Sequence, residues 1–217
     1  MPQALKTTEG LRPEPVAAYV MAGGGSTRFG EDKARVFLGG QPMLTRICDL
    51  LSAVTPRVYI VAPLGRYGFA IPPVIEDRWP GQGPLGGIIT ALTHTRERLP
   101  STAWNLIVSC DMPFLTPGWL SYLCEFASNS GARAIVPASA RGREPLCACW
   151  CTSAAQDMQA AFEGGMRRVN DALKLLHAEV LDEAHWKRFD SAGRLFWNMN
   201  TAEDYQEAQR ILDWERT

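Results

Sequence analysis

The chain has 217 residues, of which 46% are hydrophobic and 21% charged, and its formal net charge is −1. Such near-neutrality supplies no basic excess to draw in nucleic acid or an anionic membrane surface. No apolar run approaches the ~18 residues that a membrane-spanning helix needs. A chain of this length forms one large domain more naturally than two. The expected organisation is therefore a flexible, polar lead-in over residues 1–15 and a single domain over 16–217. The lead-in, MPQALKTTEGLRPEP, has neither the apolar core nor the cleavage site of a secretory signal. With no such signal, the six cysteines are expected to stay reduced, which points to the cytoplasm.

In chain order, the first predicted element is a strand over VAAYVMA, residues 16–22, and it runs straight into GGGSTRFGEDK. A strand that stops at Gly23, Gly24 and Gly25 leaves main-chain N–H groups with no Cβ in the way, so a polyphosphate can approach closely. Arg28 adds a planar fork suited to phosphate oxygens, and Lys33 adds a compact positive charge. This is no Walker loop, because Gly30 is followed by Glu31 and Asp32 rather than Lys and Ser or Thr. It is no dinucleotide fingerprint either, since the third glycine of G-x-G-x-x-G is missing. The competing reading is a plain glycine-rich turn.

Beyond the loop, apolar residues recur every three or four positions in MLTRICDLLSAV, residues 43–54, and predict a helix. A strand follows at RVYIVA, residues 57–62. The segment VIEDRWPGQGPLGGI offers Asp77 and four glycines that would let the backbone meet a planar ligand. Asp77 could accept hydrogen bonds from a base or ribose, or it could belong to a loop that merely leads into the helix PLGGIITALTHTRERL, residues 84–99. The next strand, WNLIVSC at 104–110, delivers Asp111 into the following loop. A carboxylate there suits Mg²⁺, which is usually held by one or two carboxylates plus phosphate oxygens and water. The alternative is a turn-forming Asp ahead of Met112 and Pro113.

A helix is expected over WLSYLCEFASNS, then a hairpin of RAIVPA with LCACW across the charged turn ARGREP. Cys147, Cys149 and Cys151 alternate there, a pattern that fits buried strand side chains better than the paired turns of a zinc site. His94, His177 and His185 fall in helical or polar segments and read as satisfied or surface residues. Further helices fit SAAQDMQAAFEGG, VNDALKLLHA and TAEDYQEAQRILDWER, the last capped by Thr201 with Asp204 in its first turn. Asn198 and Asn200, at period two, could reach metal-bound phosphate or a second substrate. Near-continuous apolar strands alternating with helices predict an α/β fold: three layers with a mostly parallel central sheet, ligands gathering at the strands' carboxyl ends.

Taken together and in order, VMAGGGSTRFGEDKARVFL, EDRWPGQGPLGGI, CDMPFL, REPLCA, MRR and NMNTAEDY resemble the molybdenum cofactor guanylyltransferases over roughly residues 16–210. The resemblance implies a Rossmann-like nucleotidyltransferase fold and transfer of GMP from GTP to Mo-molybdopterin, with pyrophosphate released and Mg²⁺ as the metal. It implies that Met21, Ala22, Gly23 and Gly24 line GTP, and that Lys33 and Arg28 contact its phosphates. Asp77 would hold the nucleoside, and Asp111 would contact both GTP and Mg²⁺. A protein that delivers molybdopterin, or a molybdoenzyme chaperone, is a further partner of this kind of enzyme. Arg141, Arg143, Arg167 and Arg168 are candidate contacts for an anionic acceptor. One departure concerns the base: Ala62 and Pro63 stand where some members carry an Asn near the nucleoside. CTP-dependent molybdopterin cytidylyltransferases share the loop, the lysine and the aspartate, and a sugar-phosphate nucleotidyltransferase is another alternative. A catalytically silent nucleotide-sensing module would not need Lys33 and Asp111 intact.

Overall fold

A computed structural model describes residues 16–23, 32–67 and 72–214. The expected lead-in at 1–15, together with Gly24, Gly25 and Arg28, lies outside the described residues. The strands are β1 (Val16–Met21), β2 (Phe37–Leu38), β3 (Gln41–Pro42), β4 (Val58–Ala62), β5 (Val74–Glu76), β6 (Trp104–Ser109), β7 (Ala134–Ser139), β8 (Gly142–Arg143), β9 (Cys147–Cys151) and β10 (Glu179–Leu181). The α-helices are α1 (Met43–Ser52), α2 (Pro84–Arg98), α3 (Pro117–Asn129), α4 (Ala155–Glu163), α5 (Val169–Leu175), α6 (Glu183–Trp186) and α7 (Ala202–Trp214).

The main sheet runs β10-β7-β9-β6-β1-β4-β5, with β8 paired to β7 at one end of that strand. β1 is parallel to both β4 and β6, β5 continues parallel to β4, and β10 is parallel to β7. Only β9 runs against its two neighbours in this order, lying between β6 and β7. The expected hairpin therefore forms: Ala134 pairs with Trp150 and Ile135 with Cys149, and β9 then joins the pair to the rest of the sheet.

Period-two alternation divides the strand side chains between two cores, as a sheet covered on both faces requires. On one face Ala18, Val20, Ile60, Leu106 and Val108 pack against Ile47 and Leu51 of α1, Leu120 and Leu123 of α3, and Ala208 and Leu212 of α7. On the other, Tyr19, Val61, Ile107 and Trp150 meet Ile88 and Leu92 of α2, Met158 and Phe162 of α4, and Leu173 of α5. The mostly parallel, three-layer α/β architecture is as expected. Cys147 and Cys149 are core residues, and Cys147 Sγ accepts from Trp119 Nε1 at 3.4 Å. Among the described residues no helix is long and apolar enough to cross a membrane.

Helix ends follow local chemistry. Thr116 caps α3 by accepting from the Trp119 N–H, with Pro117 at the first helical position. Thr201 Oγ1 accepts from Asp204 N–H at 3.1 Å, while Asp204 Oδ2 accepts from the N–H groups of Asn200 and Thr201 at 2.8 Å each. This reciprocal box starts α7 and fixes the segment just before it. Because β1, β4, β5, β6, β7 and β10 share one direction, the residues after Met21, Ala62, Glu76, Ser109, Ser139 and Leu181 emerge along one edge.

Candidate active site

At that edge the end of β6 places Asp111 next to Lys33, although the two are 78 positions apart in the chain. Lys33 Nζ stands 3.7 Å from Asp111 Oδ2 and donates to Asn200 Oδ1 at 2.8 Å. The Lys33 and Asp111 side chains retain 16% and 20% of their exposure, so the pair is sheltered yet open to a ligand. The chain before α7 is tied in through the main chain, since Met199 N–H donates to Asp111 C=O at 2.8 Å. Asn200 thereby reaches the centre, and Asn198 lies half-buried two residues earlier.

Lys33 is the first residue of a short 3₁₀ turn, Lys33–Arg35, whose cap is Asp32. Asp32 Oδ1 accepts from Ala34 N–H at 3.2 Å, and Asp32 Oδ2 accepts from the Tyr67 hydroxyl at 2.5 Å. Arg35 adds its Nε at 3.8 Å from Asp32 Oδ2 and sits 5.7 Å from the centre of the Tyr67 ring. Tyr67 is buried and has φ of 56°, a left-handed backbone uncommon for a bulky residue. Burial, and then the bond to Asp32, push its hydroxyl well above the ordinary tyrosine range, so it remains a proton donor to the carboxylate. Asp32 is thus spent on holding the turn that carries Lys33. Sequence reading missed Tyr67 altogether, because nothing local in PLGRYG links it to a carboxylate 35 residues earlier.

Asp111 is preceded by the buried thiol of Cys110, which burial and the neighbouring Asp111 charge push up to about 12. Cys110 is therefore a neutral packing group at neutral pH, not a nucleophile. Asp111 offers hard carboxylate oxygen at a sheltered, partly open strand end, the donor chemistry that fits Mg²⁺ in company with phosphate oxygens and water. Among the described residues no three His, Cys, Asp or Glu side chains gather to form an all-protein metal cage.

On the β4–β5 side, Asp77 is only 8% exposed and its N–H donates to Ala62 C=O at 2.8 Å. Its Oδ1 accepts from Trp79 N–H at 3.0 Å and lies 3.2 Å from the Thr90 hydroxyl. A Cβ on Gly23 would sit 3.7 Å from Pro63 Cδ and 3.8 Å from Asp77 Oδ2, so these residues face one small space. Ala22 is buried at its margin. The Met21 side chain packs into the first turns of α2, where a Cβ on Gly87 would collide with its Cε. Gly83 has φ of 87° at the residue before Pro84, a backbone that favours glycine. Lys33, Asp111 and Asn200 therefore form one group, and Ala22, Gly23 and Asp77 a second beside it.

The chain is similar to known proteins in sequence and fold. The MobA-like NTP transferase domain family matches residues 18–179. The molybdenum cofactor guanylyltransferase of Sinorhizobium fredii is 35% identical over 204 residues, covering 90% of this chain and 91% of that protein. The enzyme of the same name from Rhizobium meliloti is 33% identical over 208 residues, covering 91% and 92%. Among solved structures, molybdopterin-guanine dinucleotide biosynthesis protein A from Archaeoglobus fulgidus superposes with a TM-score of 0.79 at 25% identity, covering 91% of this chain and 99% of that one.

Proposed function

We propose that this chain, which belongs to the MobA-like NTP transferase family, transfers GMP from GTP to the phosphate of Mo-molybdopterin and releases pyrophosphate. The observation that carries the reading is the Lys33 ammonium, held between Asp111 and Asn200 at the end of β6. The similarity to proteins named molybdenum cofactor guanylyltransferase supports the choice of nucleotide and acceptor.

In the reaction an acceptor phosphate oxygen attacks the α-phosphorus of GTP, forming one P–O bond while the bond to the β-phosphate oxygen breaks. The electron pair leaves with pyrophosphate, and no protein nucleophile is needed. Catalysis then rests on positioning and charge. Lys33 meets the charge that builds on the α-phosphate, and its two anchors keep it there without reorganisation. Mg²⁺, when bound, would neutralise phosphate charge, and Asp111 is the residue that would hold it. Asn200 orients Lys33 from the acceptor side. Ala22 and Gly23 approach the nucleotide, and Asp77 Oδ2 remains for the nucleoside. We assign Arg28 and Gly24, on the motif alone, to the departing pyrophosphate. The reducing cytoplasm is the compartment in which we place the enzyme.

Pro63 lies beside Gly23, and Ala62 and Pro63 stand where some members of the family carry an Asn near the nucleoside, which favours keeping CTP as the second donor to test. The experiment is a pyrophosphate-release assay with each nucleoside triphosphate, molybdopterin or a sugar phosphate as acceptor, Mg²⁺ present or chelated, and a blank without acceptor. Release with GTP and molybdopterin, lost on chelation, is expected. Preference for CTP, or turnover with the sugar phosphate alone, would replace this reading.

A further inference from the structure

Asn200 accepts from the Lys33 ammonium, yet no regular element carries it: residues 190–201 contain neither helix nor strand. The residue is exposed, so packing contributes little to holding its side chain. Its place is set by main-chain hydrogen bonds on either side. Met199, buried, donates its N–H to Asp111 C=O at 2.8 Å, which fixes where the segment crosses the end of β6. The Asn200 N–H donates to Asp204 Oδ2 at 2.8 Å, which fixes the orientation of the peptide next to the amide that meets Lys33.

The second bond is one more than a helix start requires. In the usual capping box the residue at the third helical position reaches back to the N–H of the cap itself. Asp204 does so, accepting from Thr201 N–H at 2.8 Å, and takes in addition the N–H of Asn200, one residue outside the cap. Partial burial opposes ionisation of Asp204, but the bonds from Asn200 and Thr201 outweigh it, helped by Arg141, and hold its carboxyl below the usual range. It is therefore a charged acceptor at neutral pH, and charge-assisted bonds are the stronger kind.

The same turn of helix is tied to the other side of Lys33. The Tyr205 hydroxyl donates to Phe37 C=O at 2.9 Å and accepts from Gln209 Nε2 at 2.6 Å. Phe37 opens β2, with only Val36 between it and the Lys33–Arg35 turn. Further along α7, Ala208 and Leu212 are buried in the core shared with α1 and α3. Both ends of the Lys33–Asn200 bond are thus referred to one helix that is itself docked on the sheet.

We infer that Asp204 is a positioning residue for the transfer: through the Asn200 main chain it fixes the amide oxygen that holds Lys33 Nζ in line for the reacting phosphate. The inference rests on the guanylyl-transfer reading for the step that Lys33 serves. Misplacement of a positioned group by about 1 Å can cost on the order of 10²-fold in rate. Asp111 also stands beside Lys33, so the loss expected on removing Asp204 is smaller, about tenfold.

The test is a double-mutant cycle on the full-length protein, with Asp204→Ala made in wild type and in Asn200→Ala. The Asn200→Ala chain keeps both main-chain N–H groups, so any part Asp204 plays in starting α7 persists there, while its route to Lys33 is gone. Asp204→Ala should lower kcat about tenfold in wild type and less than about twofold in Asn200→Ala. The GTP Kd should stay within about twofold throughout. Asp204→Asn, whose amide oxygen still accepts from both N–H groups, should recover part of the rate, and it carries the comparison if Asp204→Ala loses α7. Equal rate losses in the two backgrounds, or an unchanged kcat in Asp204→Ala, overturn the inference.

A readout without turnover separates the two proposals. Brief labelling with acetic anhydride, read by mass spectrometry, should modify Lys33 about threefold faster in Asp204→Ala, with the exposed Lys174 and Lys187 unchanged as internal standards. That rise in a protein whose wild type releases no pyrophosphate would reject guanylyl transfer and keep the anchor. Pyrophosphate release in wild type, with unaltered Lys33 labelling and kcat in Asp204→Ala, would do the reverse.

Discussion

Two polar clusters flank this sheet, one sealed in the interior and one partly open at the strand ends. In the interior, Tyr19, Thr95 and Asn105 are fully buried, and every polar group among them is matched. The Tyr19 hydroxyl bonds to Thr95 Oγ1 at 2.6 Å and His94 Nδ1 at 2.8 Å, Thr95 bonds on to Asn105, and Asn105 Nδ2 donates to Trp150 C=O and Thr152 Oγ1. Burial raises Tyr19 and lowers His94, which holds both neutral. At the strand ends, Lys33, Asp111 and Asn200 are charged or polar and partly exposed. A satisfied, neutral network rigidifies a core, whereas a preorganised charge beside open space is what a transition state can use.

The comparison breaks most visibly at Asp111. Asp111→Ala should cut turnover at least 10³-fold, ~4 kcal/mol, with the melting temperature unchanged within a degree or two; near-normal pyrophosphate release would remove Asp111 from the site. Asn105→Ala should do the opposite. It strands buried partners on three sides, and a loss of about 3 kcal/mol in denaturant-derived stability is expected with kcat intact. A drop in kcat at full stability would mean the interior network is functional. Tyr67→Phe sharpens the boundary between the two. Deleting the hydroxyl that holds Asp32 should lower kcat about tenfold, ~1.4 kcal/mol, with both KM values within twofold. A purely structural role would show instead as lost stability with kcat preserved.

Much of this was legible in the sequence because it is local. Apolar runs bounded by glycine, proline and capping residues located β1, β4, β6 and β7 and α1 and α2 to within a residue or two. Thr201 with Asp204 identified the start of α7 from chemistry that acts over three residues. Short elements escaped: β5 and β10 have three residues each, too few for a period to show. Pairings across the chain escaped for a different reason. Lys33 and Asn200 are separated by 167 positions, and only the parallel order of the strands brings them together. The glycines after Asp77 were visible, but not their purpose, since a clash between a Gly87 Cβ and Met21 is a tertiary fact. Four arginines read as equal candidates for an anion, and the packing of Arg167 over the Phe162 ring is again a tertiary fact that no local pattern shows.

The central claim is that Lys33 acts on the chemical step from a fixed position. Single-turnover rates of pyrophosphate release and equilibrium GTP binding, measured side by side for wild type and Lys33→Ala, test it most directly. The account predicts a rate loss of about 10²–10³, roughly 3–4 kcal/mol, as for removal of a preorganised transition-state donor, with the GTP Kd changed by less than about threefold. A variant that binds GTP poorly but turns over at the wild-type rate once saturated would contradict it.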